Sequence, residues 1–264
     1  MSTDLRPEHI DEVAERLLEG RRRGVALPPL PEHLVPPSTA MANAVEDLVA
    51  ERIDRPVLGW KIGCTSEHAK QVLGADGPFA GRIYDLHPDG TALEADAFVT
   101  EPHLEGEFAF TMGADLAPVD GGRHRSELVA AIATVHAAIE VVGGRFERFI
   151  GAPLNALIAD AGANTRLVLG PGTDRWDAES LATTEAAMTV DGERTGHGTG
   201  ADVLGHPLDA LAWLVDHLAD RGITLPAGAV VTTGTATQVS TLPPGATATC
   251  AIDGIGRVTL HRRP

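Results

Sequence analysis

The chain has 264 residues and a formal net charge of −16 at pH 7, a length that suits one large domain with at most a small accessory segment. The negative charge argues against nucleic acid and anionic membranes as partners, because their phosphates would be repelled, although a bound cation could still admit small anionic substrates. Two cysteines are too few for a disulfide framework, and we find neither a signal-like apolar run at the start nor a membrane-length apolar stretch, so we expect a cytoplasmic protein.

Residues 1–55 are predicted to form a helical arm. Apolar residues recur at helical spacing over residues 9–23, and Ser38 is placed to begin a second helix. The proline-rich link between them excludes regular structure over residues 27–37. Glu32 and His33 in this link could form a general-base pair, but we interpret them as a surface pair because loops often carry charge.

Residues 56–264 are predicted to form the catalytic domain, because short apolar runs broken by glycine replace the helical pattern. Extended segments are expected over residues 57–64, 98–112, 139–142, 229–233, 246–253 and 256–261. Helices are predicted over residues 126–137 and 207–222. Many short strands, few helices and 29 glycines favour an α+β fold that is mixed and mostly β, with helices at its edges.

Two glutamates one residue apart are the most informative feature for function. In a strand through residues 103–110, Leu104 and Phe108 would face a core, while Glu105 and Glu107 would share the opposite face. Two carboxylates this close repel each other unless a cation lies between them, and hard divalent cations prefer oxygen ligands. A solvent-exposed edge strand is the simpler alternative.

A third carboxylate and a lysine also need partners. Glu140 lies among the apolar residues Ile139 and Val141, where it needs either a metal or a salt bridge, for example to Arg145. Lys61 is one of only two lysines among 21 basic residues, and glycines flank it on its face of the strand. That arrangement leaves room for a ligand, although a lysine that reaches past a bare surface is the alternative.

A set of motifs in the order and spacing of a known family extends over about residues 40–262. The sequence resembles the 2-keto-4-pentenoate hydratase and 4-oxalocrotonate decarboxylase family, within the fumarylacetoacetate hydrolase superfamily. The motifs that carry the resemblance are Gly-Trp-Lys-Ile-Gly-Cys-Thr-Ser at 59–66, Leu-Gly-Ala-Asp at 73–76, Glu-Gly-Glu at 105–107, Ile-Glu-Val-Val-Gly-Gly-Arg at 139–145, Ile-Ala-Asp at 158–160, Val-Leu-Gly-His-Pro-Leu at 203–208 with Ala-Trp-Leu at 212–214, and Val-Thr-Thr-Gly at 231–234.

This resemblance implies a β-sandwich or roll of the fumarylacetoacetate hydrolase C-terminal type, a Mg²⁺ or Mn²⁺ ion, and a homo-oligomer. It implies a lyase that acts on a short 2-oxo or 2-hydroxydienoic acid through an enolate. The resemblance places the metal carboxylates at Glu105, Glu107 and Glu140. It places catalytic groups at Lys61, Asp76 and Asp160, and we expect substrate contacts at Ile62, Gly63, Asn164 and Thr235.

Two departures from the family pattern leave the exact reaction open. An aspartate of the family falls on Phe79, and its asparagine and serine fall on Ala161 and Ala163. Asn164 offers an amide nearby, displaced in register. Hydration needs a base that delivers water, whereas decarboxylation needs fewer such groups, so both stay open. Another enolate reaction (C–C hydrolysis, tautomerisation or a biosynthetic step) and a non-catalytic scaffold are the further alternatives.

A glycine-rich run over residues 196–201 fits a dinucleotide-binding pattern literally. Pro207 interrupts any helix that would open there, and no βαβ unit surrounds the run. We therefore interpret it as a glycine loop near the pocket.

Overall fold

A computed structural model describes residues 7–264 of the chain. Over this range the α-helices are α1 (Pro7–Arg23), α2 (Thr39–Arg52), α3 (Glu67–Leu73), α4 (Arg125–Ala131), α5 (Leu154–Ala159) and α6 (Pro207–Ala219). The strands are β1 (Gly59–Gly63), β2 (Phe79–Ile83), β3 (Leu86–Pro88), β4 (Thr91–Leu93), β5 (His103–Met112), β6 (Ile132–Val142), β7 (Asn164–Leu169), β8 (Glu185–Val190), β9 (Glu193–Thr199), β10 (Val230–Thr235), β11 (Ser240–Thr241), β12 (Thr247–Ile252) and β13 (Gly256–Arg262). Short 3₁₀ turns occur at Glu32–Leu34, Ala95–Ala97, Ala161–Ala163, Leu181–Thr183 and Gly200–Asp202.

Two mixed sheets form a sandwich within the described residues. The first has the order β2-β1-β10-β5-β6-β7-β3, with β11 alongside β5, and the second has the order β4-β13-β12-β8-β9. In the first sheet β1 runs parallel to β10 and β3 parallel to β7, while the long central strands β5 and β6 are antiparallel. The predicted α+β class with a sandwich is therefore confirmed.

The two faces of the first sheet have different roles because side chains alternate along a strand. Leu104, Phe108 and Phe110 are fully buried on the face that packs against the second sheet, in one core with Val258 and Leu260. On the opposite face a smaller apolar cluster is formed by Ile83, Ala109, Ala138, Leu167 and Val230. By the same alternation Glu105 and Glu107 lie on that second face, as predicted.

The helical arm is present. Ser38 caps α2 by accepting a hydrogen bond from the Met41 amide at 3.3 Å. The inner residues of α1 and α2 form a second core that also includes Phe79, Phe146 and Ile158. The arm thus shares its core with the rest of the chain, and the boundary near residue 55 stays a prediction. No helix within residues 7–264 combines the length and hydropathy that a membrane crossing requires.

Two sequence predictions are wrong. The helix expected over 126–137 ends at Ala131, and β6 begins at Ile132, because the β-branched Ile132, Thr134 and Val135 pair with β5. The glycine run at 196–201 is largely strand β9 rather than a loop. Its glycines permit close packing, since a Cβ on Gly198 would lie 2.3 Å from the Ala236 carbonyl oxygen.

Candidate metal centre

Three carboxylates converge at the middle of the first sheet. Glu105 and Glu107 point from the same face of β5, and the antiparallel register places Glu140 of β6 directly opposite Glu105. One oxygen from each of the three side chains lies within 4.8 Å of the others. The convergence expected from the sequence is therefore present, and the role of the three glutamates as metal ligands stays a prediction.

The cluster is electrostatically unfavourable without a cation. Glu107 and Glu140 are fully buried, while Glu105 is partly exposed. Burial and repulsion by Glu140 raise the pKa of Glu105 to about 7. Burial, followed by repulsion from Glu140 and Glu105, raises the pKa of Glu107 well above its usual range. Either protons or a dication must therefore balance this site.

Neighbouring groups satisfy only part of the cluster. The Asn164 side-chain amide donates to Glu140 Oε1 at 2.8 Å, and the Gly234 backbone N–H donates to Glu107 Oε2 at 2.8 Å. Lys61 Nζ lies 3.6 Å from Glu140 Oε1. Within residues 7–264, Glu107 Oε1 and Glu140 Oε2 are buried and have no hydrogen-bond partner. Two orphaned carboxylate oxygens beside a third carboxylate fit the all-oxygen ligand set of Mg²⁺ or Mn²⁺.

Lys61 is buried beside the cluster and is held by an unusual set of neighbours. Strand β1 places its side chain on the glutamate face, and its ammonium nitrogen lies 4.9 Å from the centre of the Phe79 ring. By the sequence resemblance an aspartate of the family falls on Phe79, whereas in this chain an aromatic face meets the ammonium group. Gly162 packs closely against the Lys61 side chain on another side, because a Cβ at position 162 would lie only 2.5 Å from Lys61 Cε.

The loop from 160 to 164 places Gly162 and Asn164 at the site. Ala161, Gly162 and Ala163 all have positive φ, at 53°, 63° and 62°. This conformation is costly for alanine, and such strain persists only where surrounding structure enforces it. Ala161 and Ala163, which depart from the pattern that the sequence resemblance implies, are therefore buried alanines in a constrained turn.

Asp160 anchors that loop through arginines. Its carboxylate accepts hydrogen bonds from Arg21 Nη2 at 3.2 Å and from the Arg145 backbone N–H at 2.7 Å, and Arg145 Nη1 lies 3.5 Å away. The carboxylate is thus engaged by α1 and by the segment after β6. A catalytic role for Asp160 stays a prediction, and its contacts indicate that it positions the loop.

The other residues that the sequence predicts at the site differ in how close they lie to the three glutamates. Thr235 pairs with Glu107 in the sheet register, and its hydroxyl donates to the Thr237 carbonyl at 2.7 Å. Gly63 packs against the Phe79 ring. The Ile62 side chain belongs to the core between the sheets, so a substrate could meet only its backbone. Asp76 is exposed after α3 and lines a separate cavity of about 390 Å³, so the structure does not bring it into the glutamate cluster.

Sequence reasoning missed several residues that shape the site. Gly162 and Gly234 allow the approach of Lys61 and the donation to Glu107, respectively. Arg21 lies 139 positions from its partner Asp160 within a run of three arginines, where no local signal distinguishes it. An isolated glycine between two alanines, as at 162, was the one available signal of a close approach.

Known proteins are similar to this chain in sequence and in fold. The family model described as the fumarylacetoacetate (FAA) hydrolase C-terminal domain matches residues 66–261. A 4-oxalocrotonate decarboxylase from Pseudomonas putida is 33% identical over 205 residues, covering 77% of this chain and 76% of that protein. A 2-keto-4-pentenoate hydratase from Paraburkholderia phymatum is 31% identical over 267 residues, covering 98% of both chains.

A solved structure extends the similarity to the whole fold. The 4-oxalocrotonate decarboxylase from Pseudomonas putida, complexed with magnesium and adipate, superposes with a TM-score of 0.88 at 27% identity and covers 98% of this chain and 99% of its own. The resemblance found in the sequence is thereby confirmed: this chain belongs to the fumarylacetoacetate hydrolase family and, within it, is related to the hydratases and decarboxylases.

Proposed function

We propose that this protein is a divalent-metal-dependent lyase that acts on a short 2-oxo or 2-hydroxydienoic acid. The observation that carries the proposal is the cluster of Glu105, Glu107 and Glu140, with two buried carboxylate oxygens that lack a partner among the described residues. The relatives support the substrate class, because they are named for 4-oxalocrotonate decarboxylation and 2-keto-4-pentenoate hydration.

The three glutamates would hold Mg²⁺ or Mn²⁺, and Asn164 orients one of them through its hydrogen bond to Glu140. When bound, the ion supplies a Lewis acid for the 2-oxo oxygen and adjacent carboxylate of the substrate. Lys61, buried and 3.6 Å from Glu140, is placed to neutralise a substrate carboxylate or to move a proton. Glu107 and Glu140 are fully buried, so solvent does not reach them, and electrostatic interactions at the site are strengthened.

Decarboxylation is the reaction that the surroundings of Lys61 favour. Loss of CO₂ sends the bonding electron pair through the conjugated chain to the 2-oxo oxygen and requires no group that activates water. Lys61 meets apolar groups on the loop side: the Phe79 ring and Gly162, which lies between the buried residues Ala161 and Ala163. By the sequence resemblance, Phe79, Ala161 and Ala163 are the positions where the family carries an aspartate, an asparagine and a serine.

Hydration is the second candidate, favoured by the full-length similarity to a hydratase. It adds water across the distal double bond and therefore needs a base in addition to the three predicted metal ligands. One substrate set separates the two reactions. Release of CO₂ from 4-oxalocrotonate supports decarboxylation, and a hydroxylated keto acid from 2-hydroxypenta-2,4-dienoate supports hydration.

Ultraviolet absorbance with and without Mg²⁺ tests the proposed function. We expect metal-dependent loss of the dienoate or oxalocrotonate absorbance, and loss of that activity in Glu107→Gln. Glu51→Gln is the matched control, because Glu51 is exposed on α2. Absence of turnover on dienoates, oxalocrotonates and acylpyruvates despite bound metal would leave the scaffold alternative.

We also propose that the enzyme works in the cytoplasm as a homo-oligomer, without nucleic acid or membrane as a partner. The family resemblance supports the oligomer, and the net charge of −16 supports the absence of polyanionic partners. Light scattering after size-exclusion chromatography gives the assembly mass, and a monomer at assay concentration would contradict this proposal.

A further inference from the structure

A second cavity, lined by arginines, lies between the helical arm and the first sheet. Its volume is about 500 Å³, and it is bordered by the end of α1, the end of α2 and the segments around Gly143 and Thr165. None of the three clustered glutamates lines it. The basic residues that line it are Arg21, Arg22, Arg52, Arg55, Arg145 and Arg166.

The three outer arginines are balanced by carboxylates. Arg22 lies 3.5 Å from Glu19, Arg52 lies 2.9 Å from Glu15, and Arg55 forms a salt bridge with Asp85. Two further acids that line the cavity, Asp54 and Asp96, are exposed to solvent. The three salt bridges and the two exposed acids lie at the surface of the cavity.

The inner three arginines have fewer direct carboxylate partners than the outer three, although Asp85 attracts Arg145 and Arg166 from a greater distance and Asp96 attracts Arg166. Arg21 and Arg145 share one carboxylate, that of Asp160, at 3.2 Å and 3.5 Å. Arg166 donates to the Ala97 carbonyl and forms no salt bridge within the described part of the chain. The group of three guanidinium ions therefore faces one directly paired carboxylate.

Two of these guanidinium groups, those of Arg21 and Arg145, are largely removed from water. The side chains of Arg21 and Arg145 are 10% and 11% exposed. Arg21 Nε is buried and has no hydrogen-bond partner among residues 7–264. Burial and the nearby Arg21 lower the pKa of Arg145 to about 10. A buried donor without an acceptor indicates a missing partner, and an anion is the partner that two adjacent buried guanidinium groups favour.

We infer that this cavity binds a small oxyanion with two negative charges, of the phosphate or dicarboxylate class, through Arg21, Arg145 and Arg166. Planar guanidinium groups match the oxygen pairs of phosphate and carboxylate, and such charge-assisted hydrogen bonds are strong where water is excluded. This inference does not depend on the proposed reaction, because the site is separate from the glutamates.

The bound anion would lie close to the metal centre in the hydrogen-bond network. Arg145 Nη1 donates to the Asn164 carbonyl at 2.6 Å, and the Asn164 side chain donates to Glu140. An occupied cavity is thus two hydrogen bonds from a predicted metal ligand.

Thermal unfolding of the metal-free full-length protein tests the inference. Inorganic phosphate and succinate are titrated separately at constant ionic strength, with a chelator present so that no metal can bind them. We expect at least one of them to raise Tm at millimolar concentration, and the effective anion or anions then identify the source of the ligand chemistry.

Arg166→Gln is the decisive variant. Because Arg166 forms no salt bridge in the described residues, its loss leaves no carboxylate unpaired, and the anion-free Tm should be unchanged or higher. Its affinity for the effective anion should fall at least about tenfold, the effect of one charge-assisted contact. Arg257→Gln, an exposed arginine on β13, removes the same charge outside the cavity and should respond like the wild type.

Two results would overturn the inference. An equal Tm shift in Arg166→Gln and the wild type would mean that the anion acts elsewhere. Absence of any shift with both anions would mean that the cavity holds no oxyanion and that the carboxylates of the protein suffice for its arginines.

Discussion

Gly162 leaves the space that the Lys61 side chain occupies, and it therefore controls the position of this lysine. A Cβ at Gly162 would lie 2.5 Å from Lys61 Cε and 2.7 Å from the Phe79 ring. We predict that Gly162→Ala lowers kcat by at least about tenfold, because the lysine must move away from Glu140. The measurement is steady-state kinetics with saturating Mg²⁺.

The matched control is Gly74→Ala. Gly74 has the same φ of 63°, and no atom lies within 4 Å of its added Cβ, so this change applies the backbone strain of about 1 kcal/mol without the clash. If both variants lose the same activity, strain alone is responsible and Lys61 is not held by Gly162.

The side-chain amide of Asn164 orients the Glu140 carboxylate through a hydrogen bond. We predict that Asn164→Ala weakens metal binding by about 10- to 100-fold, because the carboxylate loses the amide that fixes it. Calorimetric titration with Mn²⁺ measures this affinity. Asn155→Ala removes an amide hydrogen bond of the same 2.8 Å length, to the Pro36 carbonyl, and should bind Mn²⁺ like the wild type.

The sequence made some of these residues predictable and hid others. Glu105 and Glu107 follow from strand alternation, and Glu140 from a charged residue among apolar neighbours. Arg21 and Arg145 could not be linked to Asp160, because only the tertiary fold joins the arm to this loop. The contact between Phe79 and Lys61 was hidden for the same reason, since it depends on the pairing of β1 with β2.

A buried ion pair joins helix α2 to strand β2 of the first sheet. Glu46 and Arg82 form a salt bridge and are both buried, and Arg82 lies 4.5 Å over the Trp60 ring. We predict that Glu46→Ala lowers the free energy of unfolding by about 3–5 kcal/mol, because Arg82 stays buried without its main partner. Urea denaturation measures this change.

Glu51→Ala on the same helix is the control, because Glu51 is exposed, and it should change stability by less than about 0.5 kcal/mol. A similar small loss in Glu46→Ala would show that Asp47, also within reach of Arg82, is a sufficient partner.

Elements with strong local signals were predictable, and their boundaries were less so. Ser38 at the start of α2 and Pro207 at the start of α6 marked both helices. The segment 126–137 had helical spacing throughout, yet β5 recruits its second half as a strand. Local periodicity could not report that pairing, because the partner strand lies about 25 residues away in the sequence.

Metal binding should control how the folding stability of the whole protein depends on pH. In the metal-free protein the pKa of Glu105 is raised to about 7 from 4.5, so the folded state holds a proton that the unfolded state releases. This contribution to stability is complete below about pH 4.5 and is lost as the pH rises through about 7. Metal binding needs the ionised carboxylates and therefore strengthens over the same range.

We consequently predict that the increase in Tm caused by Mg²⁺ grows between about pH 5 and pH 8. Thermal unfolding in Mg²⁺ or chelator measures it across this range. In Glu105→Gln the increase in Tm should be smaller at every pH, because one predicted ligand is lost, and the pH dependence that remains is that of Glu107, whose pKa is also raised. A Mg²⁺ effect that is constant with pH would exclude coupling between metal binding and these protons.

We infer that Glu105, Glu107 and Glu140 converge because together they hold one divalent cation. Calorimetric titration of chelator-treated protein with Mn²⁺ tests it most directly. We predict one ion per chain in the wild type, and binding weakened at least about 100-fold in Glu107→Gln while the variant stays folded. Wild-type affinity in Glu107→Gln, or no Mn²⁺ binding by the wild type, would show that the three glutamates do not hold a divalent cation.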